Sequence, residues 1–348
     1  MHQEINLASC KNEEIFDRYV CFHTLKADDV IDSCRYTVIG KLGYGAFGKV
    51  YKVKQELDTN PDENPTQVAK MFGNVRGQKR WARREYAIMD FIHTRADIGD
   101  RAKYFVKMIA FFVYQEHSFI IYEHLHVELK SVLHYTRFNL NQVRMVLKHI
   151  FTALDFLASL DDPIMHADVK PENIMLRRNE DRTYTAVLID FGLSRRVSKP
   201  SDNVQTREYR APEVLMGNPF NEKIDIWSMG VVGIEIYTGA CLFSTSGDIH
   251  QIVELFKFFD VPIVNPEEFG FLENSVRLNP RKVKAKLFKH FGINSKNINC
   301  FTQNEIGVYK KDIIQFVNLL SKLLCWDPAR RLSASQALRH PFFEKYEA

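Results

Sequence analysis

Few features of this chain suit secretion, metal storage or a membrane. Its 348 residues include six cysteines, at positions 10, 21, 34, 241, 300 and 325. None forms a Cys-x-x-Cys pair or a spacing suited to zinc, and the set reads as reduced intracellular thiols. The N-terminus, MHQEINLASCKNEE, carries acids where a signal peptide needs a basic and then an apolar stretch. The most apolar run, Trp227 to Phe243, contains Glu235 and is too short to span a bilayer. No charge of one sign prevails: 47 basic against 43 acidic residues leave +4, with no whole-chain signature of nucleic-acid binding. The local cluster Arg281, Lys282, Lys284 and Lys286 reads as a solvated face, with an anionic docking patch as the alternative. Repeats and low-complexity tracts are absent too. A nuclear or cytoplasmic protein without membrane or nucleic-acid partners is expected.

The chain is long enough for two closely packed lobes, and its 45% apolar and 26% charged residues are those of a globular protein. Residues 1–35 lack periodicity and read as an N-terminal extension, followed by a domain over 36–345. Strand-like runs follow in RYTVIGKL, KVYKVKQE and TQVAKMF, with a turn-rich excursion at Asp58–Pro65. A helix over KRWARREYAIMDFIH precedes two further strands, YFVKMIAFFVY and HSFIIYE. Beyond them the pattern turns helical. Asn139 and Gln142 resemble a capping box, with Val143, Val146, Leu147, Ile150, Leu154 and Leu157 at helical spacing behind it. The run from Asp225 to Thr238 is apolar nearly all round and predicts a core helix. These patterns predict an α+β, bilobal fold: a β-rich lobe with one main helix over about 36–123 and a larger helical lobe over about 126–345.

Gly43-Tyr44-Gly45-Ala46-Phe47-Gly48 is a weak signal alone, because dinucleotide sites use the same glycines. A dinucleotide fingerprint opens into a helix, whereas Lys49–Lys54 alternates like a strand. A strand–glycine turn–strand lets backbone N–H groups lie over phosphates. Val68-Ala69-Lys70 then ends a strand in a lysine, and Glu85 sits in a helix that could hold that ammonium. Next comes Met165-His166-Ala167-Asp168-Val169-Lys170-Pro171-Glu172-Asn173. In phosphoryl transfer Asp168 would orient or deprotonate a hydroxyl, Lys170 would neutralise charge on the γ-phosphate and Asn173 would hold a magnesium ion. Ile189-Asp190-Phe191-Gly192 follows, with Asp190 as the second Mg²⁺ ligand, Phe191 packed inward and Gly192 allowing a sharp turn. Ala211-Pro212-Glu213, Asp225 and Arg331 complete the set, Glu213 and Arg331 as a buried ion pair.

Together these residues resemble the eukaryotic protein kinase superfamily over about residues 35–345. Tyr209-Arg210-Ala211-Pro212-Glu213 and the segment between Phe243 and Asp312 resemble the branch of cyclin-dependent, MAP, dual-specificity tyrosine-regulated and CDC-like kinases. HADVKPENIML and YRAPEVLMGNPF look most like the homeodomain-interacting and dual-specificity kinases, while Val204–Arg207 looks more like the SR-protein kinases. The resemblance implies ATP and Mg²⁺ as cofactors and proteins as substrates, modified on serine or threonine or with dual specificity. It also makes the Phe243–Asp312 segment a candidate docking element. It implies an ATP site of Leu42, Gly43, Gly45, Gly48, Val50, Ala69, Lys70, Glu85, Tyr122 (gatekeeper), Glu123, Leu125 and Met175. Two departures concern control. Ala167 stands where many kinases carry a phosphate-binding arginine, and Asn203 stands where the relatives carry a loop tyrosine. Activity without loop phosphorylation is expected, the loop being held by Arg207 and Arg210, with Ser194, Ser198, Ser201 and Thr206 as remaining acceptors. A pseudokinase scaffold is the alternative function.

Overall fold

The computed structural model describes residues 24–32, 35–45, 48–55, 66–199, 204–244, 247–261, 279–292 and 303–344. Asp58–Pro65, Asn203, Ser201 and four of the cysteines lie outside them. The described residues divide into two compact units, one of residues up to Ala102 with Val106–Leu125, the other of Lys103–Phe105 with residues from His126 on.

The first unit is an antiparallel sheet and one long helix. Its strands are β1 (Val30–Ile31), β2 (Tyr36–Gly45), β3 (Gly48–Gln55), β4 (Thr66–Met71), β5 (Met108–Tyr114) and β6 (His117–Glu123), in the order β1-β2-β3-β4-β6-β5. The helix is α1 (Arg76–Thr94). Alternation sorts the strands: Tyr51 and Val53 of β3, Ala69 and Met71 of β4 and Phe119 and Ile121 of β6 share one apolar cluster with Leu25, Ile31, Tyr36 and Val38. The stretch before residue 36 contributes to this sheet. Ile31 pairs with Tyr36, Leu25 N–H donates to the Tyr51 hydroxyl, and the buried Lys49 ammonium donates to Thr24 Oγ1. A two-residue strand is too short to show a period, which is why the sequence pattern reads it as an extension. On α1, Gln78, Ala82, Glu85, Ile88, Met89 and Ile92 form the buried stripe.

The second unit is mainly helical: α2 (Leu129–Leu133), α3 (Leu140–Ala158), α4 (Pro212–Leu215), α5 (Lys223–Thr238), α6 (Asp248–Phe259), α7 (Pro280–His290), α8 (Gln303–Leu323) and α9 (Ala334–Leu338). Short strands β7 (Val127–Glu128), β8 (Ile164–Met165), β9 (Ile174–Arg178), β10 (Tyr184–Leu188) and β11 (Arg195–Arg196) carry the loops between them. The capping box at Asn139 is formed: its side chain accepts from Gln142 N, and Gln142 returns a bond to the Asn139 N–H. Helix α5 is buried on every side from Ile224 to Ile236. Its Glu235 is tolerated because it accepts from Lys130 at 2.5 Å and from the Tyr209 hydroxyl at 2.6 Å. No described helix is long and apolar enough to cross a membrane.

Candidate active site

In the first unit, β2 and β3 meet at Gly45 and Gly48, so the glycine turn closes a hairpin. A side chain at Gly43 or Gly45 would meet nothing within 4 Å, leaving that backbone open to a ligand. Gly48 is different. With φ +156, its Cβ would lie 2.2 Å from the Met71 carbonyl oxygen, so the third glycine is required by strand packing. Leu42 is exposed and Val50 half-buried.

Lys70, on β4, donates to both carboxylate oxygens of Glu85 at 2.9 and 2.7 Å. The Tyr122 hydroxyl donates to the same carboxylate at 2.7 Å. A carboxylate with no exposed surface thus gathers a lysine from β4 and a tyrosine from β6. Tyr122 pairs with Val68, and Glu123 receives the Lys107 N–H on its side chain while its own N–H donates to Lys107 O. Leu125 is buried. One expected position is corrected. Ala69 lies in the apolar cluster on the face opposite Lys70, and the strand period of two puts Val68 and Val50 on Lys70's face instead.

In the second unit Asp168 is the hub. Its Oδ1 accepts from Thr206 N at 3.0 Å and Thr206 Oγ1 at 2.7 Å, and Lys170 reaches its Oδ2 at 2.9 Å and Thr206 Oγ1 at 2.7 Å. Asn173 Nδ2 donates to Asp168 O at 2.8 Å and Oδ2 at 2.9 Å. Burial pulls the Lys170 pKa down, but Asp168, Asp190 and Glu172 outweigh it and hold the ammonium above its ordinary value. The backbone bond from Ile189 N to Asn173 O sets Asp190 beside Asn173. Phe191 is buried against His166 and Phe105, at ring distances of 4.9 and 6.1 Å. Met175, on β9, is half-buried between the buried Ile174 and Leu176.

Three non-glycine residues around this hub are left-handed: Ala167 (φ 64), Asp190 (φ 60) and Gln205 (φ 63). Such conformations are held by the surroundings. Asp225 does part of this from inside α5, its two oxygens accepting from His166 N at 2.7 Å and Ala167 N at 2.9 Å. Burial pushes the Asp225 pKa up to about 7 against the pull of those N–H groups. Gly192, expected to make the sharp turn, has no positive φ; Asp190 makes it, its Oδ1 accepting from Gly192 N.

In the sequence Gln205 stands out only as part of the Val204–Arg207 run. Its N–H donates to Ala167 O at 2.7 Å, its Nε2 to Ile224 O and Ser228 Oγ, and its Oε1 accepts from Ala211 N. Arg210 covers its carbonyl oxygen with Nε and Nη2, at 3.3 and 2.9 Å. Both Arg207 Nε (2.9 Å) and Arg210 Nη1 (3.0 Å) reach Oδ1 of Asp248, the first residue of α6. Two named acceptors are corrected: Ser194 is fully buried with its hydroxyl on His166 O, and the Thr206 hydroxyl is engaged by Asp168 and Lys170. Glu213 and Arg331 form the buried pair, at 2.6 and 2.9 Å.

Asn173 and Asp190 suit a hard divalent ion. The Asn173 amide turns Nδ2 to Asp168, which keeps Oδ1 on its other side, and Asp190 adds carboxylate oxygens. Among the described residues no cluster of three or more His, Cys, Asp or Glu could hold a metal. A two-residue oxygen set still fits Mg²⁺, which keeps water and phosphate oxygens as its other ligands.

The protein kinase domain model matches residues 36–343. The chain belongs to that family. As a protein kinase domain it is 29% identical over 339 residues to homeodomain-interacting protein kinase 2 of Mus musculus and, to the same degree, of Mesocricetus auratus. It is 27% identical over 323 residues to dual specificity tyrosine-phosphorylation-regulated kinase 4 of Homo sapiens. These alignments cover 88, 88 and 89% of the chain but 27, 28 and 58% of the relatives, so the chain spans from about a quarter to somewhat over half of their length. Likeness to both groups is what the motifs led one to expect.

Proposed function

We propose that the chain is an active kinase that transfers the γ-phosphate of ATP to serine or threonine of proteins, with dual specificity as the wider form of the same reading. The observation that carries it is the Asp168–Lys170–Thr206–Asn173 network. In this reading the glycine turn, Val50, Val68, Lys70, Tyr122, Glu123, Leu125 and Met175 serve ATP, with Glu85 fixing Lys70. A substrate hydroxyl at Asp168 gives up its proton as its oxygen attacks the γ-phosphorus and the bond to the β-phosphate oxygen breaks. Lys170 neutralises charge growing on the transferred group. Magnesium, held by Asn173 and Asp190, supplies further neutralisation when bound.

Two finer proposals rest on the loop before Ala211. Asp248 gives Arg207 and Arg210 a carboxylate partner within the chain, which supports activity without loop phosphorylation. Gln205 turns its carbonyl oxygen onto Arg210, so a substrate residue docking there finds no acceptor for its N–H. Proline has no N–H to leave unpaired, which supports proline after the target residue. A nuclear or cytoplasmic site of action accords with Cys241 and Cys325 being free thiols.

The test is a positional-scanning peptide library with labelled ATP·Mg²⁺, run on phosphatase-treated protein beside Asp168→Asn and Asp190→Asn. Serine and threonine peptides should be labelled well above both controls, with proline selected after the acceptor. Nucleotide binding without transfer to any peptide would leave a scaffold instead. Transfer lost on phosphatase treatment would refute the role given to Asp248.

A further inference from the structure

Glu235 is buried inside the core helix α5, yet the cation that meets it comes from near the surface. Lys130 is the second residue of α2, which packs on the turn Pro171–Asn173 of the Asp168 loop. Its ammonium donates to Glu235 Oε1 at 2.5 Å and lies 3.8 Å from Glu172 Oε1. The Tyr209 hydroxyl takes the other Glu235 oxygen at 2.6 Å. Burial pulls the Lys130 pKa down, but Glu235 and Glu172 outweigh it and hold the ammonium above its ordinary value. Glu128, two residues back, feels the same gathering of charge: burial and the Glu172 carboxylate push its pKa up. Three carboxylates thus crowd around one ammonium.

Two features separate this group from an architectural ion pair. The Glu213–Arg331 pair is sealed from solvent. Lys130 and Glu172 instead keep 27% and 40% of their side chains exposed, within reach of a substrate side chain. The group also stands beside the proposed chemistry: Glu172 falls between Lys170 and Asn173, its charge acts on Lys170, and Tyr209 directly precedes Arg210. One ammonium is a poor match for the two carboxylates. Of the pair Lys130 donates to Glu235 alone, and Glu172 Oε2 is buried with no hydrogen-bond partner among the described residues. A guanidinium presents five N–H donors in a planar fork, which can bridge two carboxylates.

We propose that Lys130 is a specificity-determining residue: its ammonium fills the Glu172–Glu235 pair and denies it to an arginine of the protein substrate. The assignment rests on the kinase reading, which supplies the substrate. With Lys130 in place a substrate arginine meets a like charge, whose repulsion offsets what the carboxylates would give. With a neutral side chain in its place, Glu172 and Glu235 lose their resident cation beside the Asp168 loop. Arginine then becomes the favoured residue at one position of the substrate, ahead of lysine because of its fork.

The experiment uses the full chain and compares the parent with Lys130→Met and with Lys130→Met/Glu235→Gln, in which the Tyr209 hydroxyl keeps an acceptor. Serine peptides carry arginine or alanine at successive positions on either side of the acceptor, and kcat/KM is measured with ATP·Mg²⁺. The parent should prefer arginine by less than about threefold at every position. Lys130→Met should prefer it by about tenfold or more at one position, and the double variant should lose that preference. Equal preferences in the parent and Lys130→Met would overturn the proposal, as would a preference kept by the double variant. A second readout needs no catalysis. Millimolar propylguanidinium should raise the melting temperature of Lys130→Met by about 2 °C or more over equal sodium chloride, and leave the parent unmoved. If no peptide is phosphorylated the kinase reading falls, and this melting shift alone keeps or overturns the filled pair. If Lys130→Met does not fold unaided, it is refolded with propylguanidinium. Soluble chain recovered with it, and not with sodium chloride, supports the pair as a cation site, and recovery with neither overturns it.

Discussion

Replacing Tyr122 by phenylalanine removes one hydroxyl and tests how the first unit holds Lys70. That hydroxyl donates at 2.7 Å to Oε1 of Glu85, a carboxylate with no exposed surface that also takes two bonds from Lys70. A hydrogen bond to a charged group is worth about 1.5–3 kcal/mol net. Glu85 keeps Lys70 in the variant, so we expect the lower half of that range, about 1.5–2 kcal/mol. For a domain of this size, unfolding with an entropy of about 2.1 cal/mol/K per residue, that is a drop of roughly 2–3 °C in melting temperature. Urea unfolding gives the free energy, and a cycle with Glu85→Leu isolates the contact. In the Glu85→Leu background the tyrosine change should be close to neutral, because the acceptor is gone. KM for ATP should rise in Tyr122→Phe with a smaller change in kcat, since a looser Glu85 loosens Lys70. The reasoning fails if Tyr122→Phe is as stable as the parent within about 0.5 kcal/mol. It also fails if the loss is equal in both backgrounds, which would place the hydroxyl's worth in another contact.

Arg331→Ala strands the Glu213 carboxylate, only 2% exposed, and should cost about 3–5 kcal/mol; Glu213→Gln/Arg331→Met should recover much of it in the same denaturation assay. Gly48→Ala should unfold the glycine hairpin or raise KM for ATP steeply, because its Cβ meets Met71 O at 2.2 Å, whereas Gly43→Ala should leave melting unchanged. His149, with Nδ1 accepting the Ala186 N–H at 3.1 Å, is pushed down to about 4 by burial and by Lys103 and Lys148. The fold therefore refuses a proton that the unfolded chain accepts below about 6.5, so this stability is present above pH 6.5 and is lost as pH falls toward 4, at most about 2 kcal/mol of it by pH 5. His149→Gln keeps an acceptor without titrating, and should flatten the fall in melting temperature between pH 7 and 5; an unchanged slope would refute the assignment.

What could be read in the sequence depended on whether the physical cause was local. The strand and helix periods, the Asn139 capping box and the order of Lys70, Asp168 and Asp190 are short-range patterns, and those elements stand where the patterns put them. Ala69 is misplaced because two apolar letters in a row, Val68 and Ala69, do not show which of them shares a face with Lys70; only the register of β4 against β3 and β6 places it in the cluster with Tyr51 and Ile121. Gly192 drew the turn by its letter, yet the left-handed residue is Asp190, and Ala167 and Gln205 take the same conformation with side chains that give no warning. What holds Ala167 and Gln205 comes from far along the chain. Asp225 reaches back 58 and 59 residues to Ala167 and His166, and Asp248 reaches Arg210 across 38. Such partners carry no spacing signal, since chain separation and spatial distance are unrelated once the chain has turned back on itself. The residues proposed to perform chemistry stand out in the sequence because their types are restricted by the proposed reaction. The residues that aim them are restricted only by geometry, and Gln205 with its saturated amide is the clearest case: any sequence position could supply it, and only the fold says which does.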